Sequence, residues 1–121
     1  MIRKSKVEVC FTPNLFPLYA EGFEVVVVID VLRATSAICT AFHYGVEKII
    51  PVSTLQEAKE YKNKGFHVDA ERKGKIVDGF DYGNSPLSYR NDKLKGETLV
   101  LTTTNGTKAI NIAKDIEHLL I

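Results

Sequence analysis

One stretch constrains what this chain can become more than any other: residues 25–37, VVVVIDVLRATSA. Its first five positions are β-branched and apolar, and such a run reads as a central strand covered on both faces. An acid, Asp30, follows at once; Arg33 then opens a run of small residues from Ala34 to Ala37. Ala34, Ala37, Ile38 and Ala41 recur at helical spacing, and Gly45 stands where a C-terminal cap belongs. A strand that hands over to a helix is the repeating unit of parallel sheets, because parallel neighbours need a crossover. The first expectation is an α/β fold.

The rest of the chain repeats the pattern. Residues 7–11 read as a first strand, and TPNLF as a loop punctuated by Pro13 and Asn14. Residues 48–52 form another strand, and Ser53 or Thr54, with Gln56 or Glu57, can cap the helix TLQEAKEYKNKG, which ends at Gly65 on the outside of the fold. FHVDA reads as a short strand, and residues 71–96 as irregular and glycine-rich. ETLVLTTT is a strand, and NGTKAINIAKDIEH a helix burying Ala109, Ile112, Ala113 and Ile116. The expected architecture is three-layer α/β/α with a largely parallel sheet, a single α/β domain over residues 1–121. Because the chain stops at LLI, which resembles the opening of a further strand, the expected domain is incomplete.

Composition narrows the function classes. Sixteen basic and fifteen acidic residues give a net charge of +1, so no basic field is available for nucleic acid or an anionic membrane. Two cysteines, Cys10 and Cys39, are too few for a disulfide scaffold, and Cys39 reads as a small buried hydrophobe. The N-terminus lacks a signal-peptide core, and residues 25–29 are too short to cross a bilayer. A soluble, cytoplasmic protein is expected. His43, His67 and His118 have no ligand-like spacing, while Tyr44, Tyr61 and Phe66 read as core or rim.

Three segments can carry chemistry. Asp30 at a strand end, with helix N–H groups near Arg33, Thr35 and Ser36, can hold an anion; equally, Asp30 can cap the helix and pair with Arg33. TTTNGTKA repeats that topology, with Thr104, Asn105, Gly106, Thr107 and Lys108 forming either a second anion cradle or a plain cap and turn. Its spacing is not that of a Walker A loop. AERKGKIVDGFDYGNSPLSY offers Glu71, Asp78 and Asp81 as hard oxygen donors suited to magnesium, with Asn84 and Ser85 in a turn; a structural loop is the alternative.

Taken in order, DVLRATSA, ER…GFDYGNSP and TTTNGTKA resemble the 2-phosphosulfolactate phosphatase family, whose members are about twice this length; the chain corresponds to their N-terminal half. The resemblance implies magnesium-dependent hydrolysis of 2-phospho-3-sulfolactate, or a similar small phosphorylated acid, to 3-sulfolactate and phosphate, a step of coenzyme M biosynthesis. It implies Asp30, Arg33, Glu71 and Arg72 as catalytic residues, and Asp30, Glu71 and Asp81 as magnesium ligands. Thr35, Ser36, Asn84, Ser85, Asn105, Gly106 and Thr107 would bind substrate. The partner is then a small anionic phosphorylated molecule, with no nucleic acid and no membrane. An inactive anion-binding domain and a phosphotransferase acting on a small acid are the alternatives. The family favours glycine on either side of the Glu-Arg pair, where this chain has Ala70 and Lys73, so either a reshaped loop around Glu71 and Arg72 or an altered substrate choice is expected. A shortened sheet also predicts weak activity and self-association.

Overall fold

The computed structural model describes residues 4–121. A 3-10 turn at Pro13–Leu15 runs into α1 (Phe16–Tyr19), followed by β1 (Val25–Val27) and α2 (Ala34–His43). Next come β2 (Lys48–Pro51), α3 (Leu55–Asn63), β3 (His67–Arg72) and β4 (Lys75–Ile76). A second 3-10 turn, Pro86–Tyr89, precedes β5 (Thr98–Thr102), α4 (Gly106–Ala113) and β6 (His118–Leu120).

The main sheet has the order β2-β5-β3-β4. β5 pairs in parallel with β2 and with β3, and only β4 runs antiparallel, along β3. Helices cover both faces. Leu99 packs with Ala37 and Ala41 of α2 and with Tyr89, whereas its neighbour Val100 packs with Ala58 of α3 and with Val52 and Val68. Successive strand residues point to opposite faces, so α2 and the Pro86–Tyr89 turn lie on one side and α3 on the other. The expected α/β/α layering is present.

Local signals explain most elements. Ala34, Ala37, Ile38 and Ala41 are the buried residues of α2, as their spacing predicts. Gly45, at φ 93°, ends that helix in the left-handed region that favours glycine. Thr54 and Glu57 close a reciprocal capping box at the start of α3, which buries only Ala58. Lys73, at φ 52°, is the only non-glycine residue with positive φ among the described residues; with Gly74, at φ 77°, it forms the tight turn between β3 and β4. Positive φ at both central positions matches the hairpin geometry that favours Asn-Gly or Gly-Gly, so lysine stands where glycine would sit without strain.

Several expectations need correction. Residues 7–11 form no strand, and Val7, Val9 and Phe11 are exposed: no neighbouring strand accepts their backbone groups. β1 is short and pairs only with β6, in a separate two-stranded ribbon, leaving Val25 49% and Val27 53% exposed. It is therefore not a covered central strand; that place belongs to β5. The last helix ends at Ala113 and buries Gly106, Thr107, Ile110 and Ala113, while Ile112 is exposed and His118 begins a strand. Hydrophobicity misjudged this face because its first turn is buried by polar contacts. Cys39 is exposed, one position past Ile38 and off the buried stripe. Residues 71–96 hold a hairpin and a 3-10 turn within the irregular stretch.

Candidate anion-binding site

In a parallel sheet, functional groups gather beyond the carboxyl ends of the strands. Here β3 ends in Glu71 and Arg72, and β5 ends in Thr102 before the loop into α4. The register aligns Ala70 with Thr102, which brings Arg72 alongside the end of β5. Its Nη2 donates to Thr102 Oγ1 at 3.0 Å and its Nη1 to the Glu71 carbonyl at 2.7 Å. Both acceptors are neutral. Partial burial lowers the Arg72 pKa from its usual value, yet a guanidinium remains charged in a protein. Arg72 thus carries a positive charge with no carboxylate among the described residues bonded to it.

Arg33 differs. Its Nη2 donates to Glu71 Oε2 at 2.7 Å, and the same oxygen accepts the Asn84 backbone N–H at 3.0 Å. Gly83 permits this approach: a Cβ there would meet Ile76 Cγ1 at 2.7 Å. Glu71 therefore joins the start of α2, β3 and the loop at residue 84.

Asp30 meets the third segment. A Cβ on Gly106 would stand 2.9 Å from Asp30 Oδ2, 3.2 Å from Ala34 Cβ and 3.2 Å from Thr103 Oγ1. Only glycine lets the Asp30 carboxylate lie this close to the start of α4, where the helix dipole favours negative charge.

The hydroxyls expected at a ligand are engaged elsewhere. Thr35 Oγ1 accepts the Asp30 N–H at 3.1 Å, and Ser36 Oγ donates to the Val31 carbonyl at 2.6 Å. Thr103 and Thr107 exchange hydrogen bonds, each hydroxyl accepting the other's N–H at 3.1 Å. These groups build the two loops. Asn105, the residue preceding α4, makes no side-chain cap, and both it and Lys108 are exposed. The Ser85 N–H donates to the Gly83 carbonyl at 2.8 Å, and its side chain caps nothing in the turn that follows.

Asp81 does not join Asp30 and Glu71: Lys62 of α3 holds it at 2.8 Å. Asp78 is exposed. Among the described residues no cluster of three or more His, Cys, Asp or Glu is arranged to hold a metal ion. With Glu71 Oε2 held by Arg33 and Asn84, and Asp81 held by Lys62, the expected magnesium ligand set does not fit this arrangement.

Sequence reasoning missed Asp69. It is fully buried in β3, and its Oδ2 accepts a short hydrogen bond from the Tyr89 hydroxyl. Burial raises its pKa to about 7, opposed by the Tyr89 hydrogen bond, while Glu71 pushes it up and Arg33 pulls it down. Burial, then the Asp69 charge, drive the Tyr89 pKa upward. The available signal was a lone acid between Val68 and Ala70 in an apolar strand.

Fold and site define a class: a parallel α/β protein whose strand ends gather two arginines, two carboxylates and a helix start. A family model described as 2-phosphosulpholactate phosphatase matches residues 10–121. A Thermotoga maritima protein named probable 2-phosphosulfolactate phosphatase is 55% identical over 84 residues, covering 69% of this chain and 37% of its own length. A Clostridium acetobutylicum protein of the same name is 48% identical over 99 residues, covering 78% and 42% respectively. One from Clostridium perfringens is 38% identical over 122 residues, covering 96% and 49%. The chain belongs to the 2-phosphosulfolactate phosphatase family. It spans about half, or less, of the length of these relatives. No helix among the described residues is long and apolar enough to cross a membrane.

Proposed function

We propose that the chain forms the phosphate-binding part of a phosphoric monoester hydrolase acting on 2-phosphosulfolactate or a similar small phosphorylated acid, releasing 3-sulfolactate and phosphate. The observation that carries this reading is Arg72, whose guanidinium is bonded, among the described residues, only to neutral oxygens at the end of β3. A phosphoryl group between Arg72 and the Asn105–Gly106 end of α4 would meet a fork of charged donors and a helix start together. Transferred phosphoryl groups need positioning and charge stabilisation above all, which is what this donor set offers.

In this reading Arg33 neutralises Glu71, so that no free carboxylate repels the substrate. Asp30, against the start of α4, is the carboxylate that would activate water or attack phosphorus itself. Acid quench during a single turnover of substrate labelled in its phosphoryl group separates these: label retained on the protein as an acyl phosphate, released by hydroxylamine, identifies covalent attack, and its absence at every quench time identifies direct attack by water. The second anionic end of the substrate is assigned to a polar depression of about 220 Å³ lined by Thr12, Pro13, Asn14, Asn105, Lys108 and Ile112. Lys108 has no ion-pair partner among the described residues and supplies the charge there.

Titration with inorganic phosphate tests the reading. Arg72→Gln should weaken binding by about tenfold or more, the scale of one charge-assisted hydrogen bond. Equal affinity in both proteins would remove the assignment. Phosphate release from 2-phosphosulfolactate, followed with and without magnesium, then tests turnover; a strict magnesium requirement would mean that Glu71 leaves Arg33 on loading. Phosphate binding without turnover would favour an anion-binding domain, a reading supported by the Thr35, Ser36 and Thr107 hydroxyls being engaged with backbone.

A further inference from the structure

Strand β3 carries two carboxylates on one face, and the alternation of side chains requires it. Asp69 stands opposite Leu101 in the register and shares the α2 side of the sheet with Leu99; Glu71, two positions on, points the same way. An apolar residue would be the ordinary occupant of position 69. A fully buried carboxylate is costly there, and exchanging buried ionic groups for well-packed apolar ones is often neutral or stabilising. Among the described residues Asp69 Oδ1 has no hydrogen-bond partner, which adds to that cost.

The compensation lies in what Asp69 holds. Its Oδ2 accepts from Tyr89, at the end of the Pro86–Tyr89 turn. The other end of the same segment is held by Glu71, whose Oε2 accepts the Asn84 N–H at 3.0 Å. Two carboxylates on one strand face thus fasten both ends of residues 84–89. Between them the segment packs against α2, with Tyr89 clustered with Ala37 and Ala41. Arg33 immediately precedes α2 and returns to Glu71 at 2.7 Å. The chain of contacts closes on itself.

We infer that Asp69 is a positioning residue: by tying Tyr89 to β3 it seats residues 84–89 and α2 so that Asn84 and Arg33 both meet Glu71. On the reading proposed above, this keeps Glu71 neutralised by Arg33 and leaves Arg72 available to an anion. Asp69 itself is sealed from the surface. Its effect travels through Tyr89 and the Asn84 segment.

Three variants separate positioning from packing: Asp69→Asn keeps an acceptor for Tyr89, Asp69→Val removes it with an apolar strand former, and Tyr89→Phe removes the donor alone. Thermal unfolding, hydrogen exchange of the Asn84 amide and affinity for inorganic phosphate are measured on each. Asp69→Val strands the buried Tyr89 hydroxyl and should unfold earlier than the parent, a loss that adding Tyr89→Phe recovers, while in both proteins the Asn84 amide should exchange about tenfold faster and phosphate affinity fall about tenfold. Asp69→Asn should stay within about twofold of the parent in exchange and affinity, and Tyr89→Phe should match Asp69→Val there without adding to it in the double variant. A folded Asp69→Val protein with unchanged Asn84 exchange would overturn the inference. If Asp69→Val fails to fold, Tyr89→Phe decides: unchanged Asn84 exchange in that variant overturns it equally. A parent chain that binds no phosphate would remove the functional reading alone, since the exchange measurement stands apart from it.

Discussion

β1 and β5 are built from similar residues and meet opposite fates. VVV in β1 and TLVLT in β5 are both runs that favour a pleated, buried surface, and each leads through a short loop into a helix. Leu99, Val100 and Leu101 are 1%, 0% and 1% exposed, whereas Val25 and Val27 remain about half exposed. The difference is neighbours. β5 has a parallel strand on each edge and a helix on each face, while β1 has β6 alone. Two-stranded ribbons are marginal by themselves, so the apolar character of a strand states a requirement that only surrounding elements can meet.

The comparison can be broken most directly by cutting the core strand. Leu101→Ala should cost about 2–5 kcal/mol, the usual price of a buried leucine, measured by urea unfolding. A loss below about 1 kcal/mol would mean that β5 is not the keystone described.

Acid should strengthen the main sheet. Asp69 has a folded-state pKa of about 7, above its ordinary 3.8, so between those values the folded protein holds a proton that the unfolded chain has released. Stability should therefore fall as pH rises from about 4 to 7, by on the order of 1 kcal/mol per pH unit from this group. Unfolding midpoints across that range, set against Asp69→Asn, isolate the slope; an identical slope in both proteins would reassign it.

At the β3–β4 turn, Lys73→Gly should gain about 0.5–1 kcal/mol by relieving a left-handed lysine, read from thermal unfolding. The smallest effect belongs to the ribbon. Val27→Ser should change stability by less than about 0.5 kcal/mol, because half of the side chain already faces water. Gel filtration of that variant, run at several concentrations, sharpens the contrast: reduced association relative to the parent would show the exposed face acting between molecules.

Much of the fold was legible because its signals were local. The alanine stripe of α2, the Thr54–Glu57 box and Gly45 each depend on residues within a turn or two. What failed depended on partners distant in sequence. Residues 7–11 look like a strand but find no neighbour, and the first turn of α4 is buried because Asp30 reaches Gly106 across the fold. The site shows the same division. The three motifs do converge, through Arg33 with Glu71, Arg72 with Thr102 and Asp30 beside Gly106. Yet Asp81 goes to Lys62, and the Asp69–Tyr89 contact, between residues twenty positions apart, left no mark that periodicity could read.

The pairing of β1 with β6 has a further consequence. Asp30 follows β1 within three residues, so it hangs from a half-exposed two-stranded ribbon, while Glu71 and Arg72 extend from β3, whose Val68, Asp69 and Ala70 are fully buried. Partial openings begin where burial is least. On warming, the ribbon should fray first, carrying the Asp30 carboxylate away from α4 while the arginines keep their geometry, so the acid and basic halves of the site come apart at different temperatures.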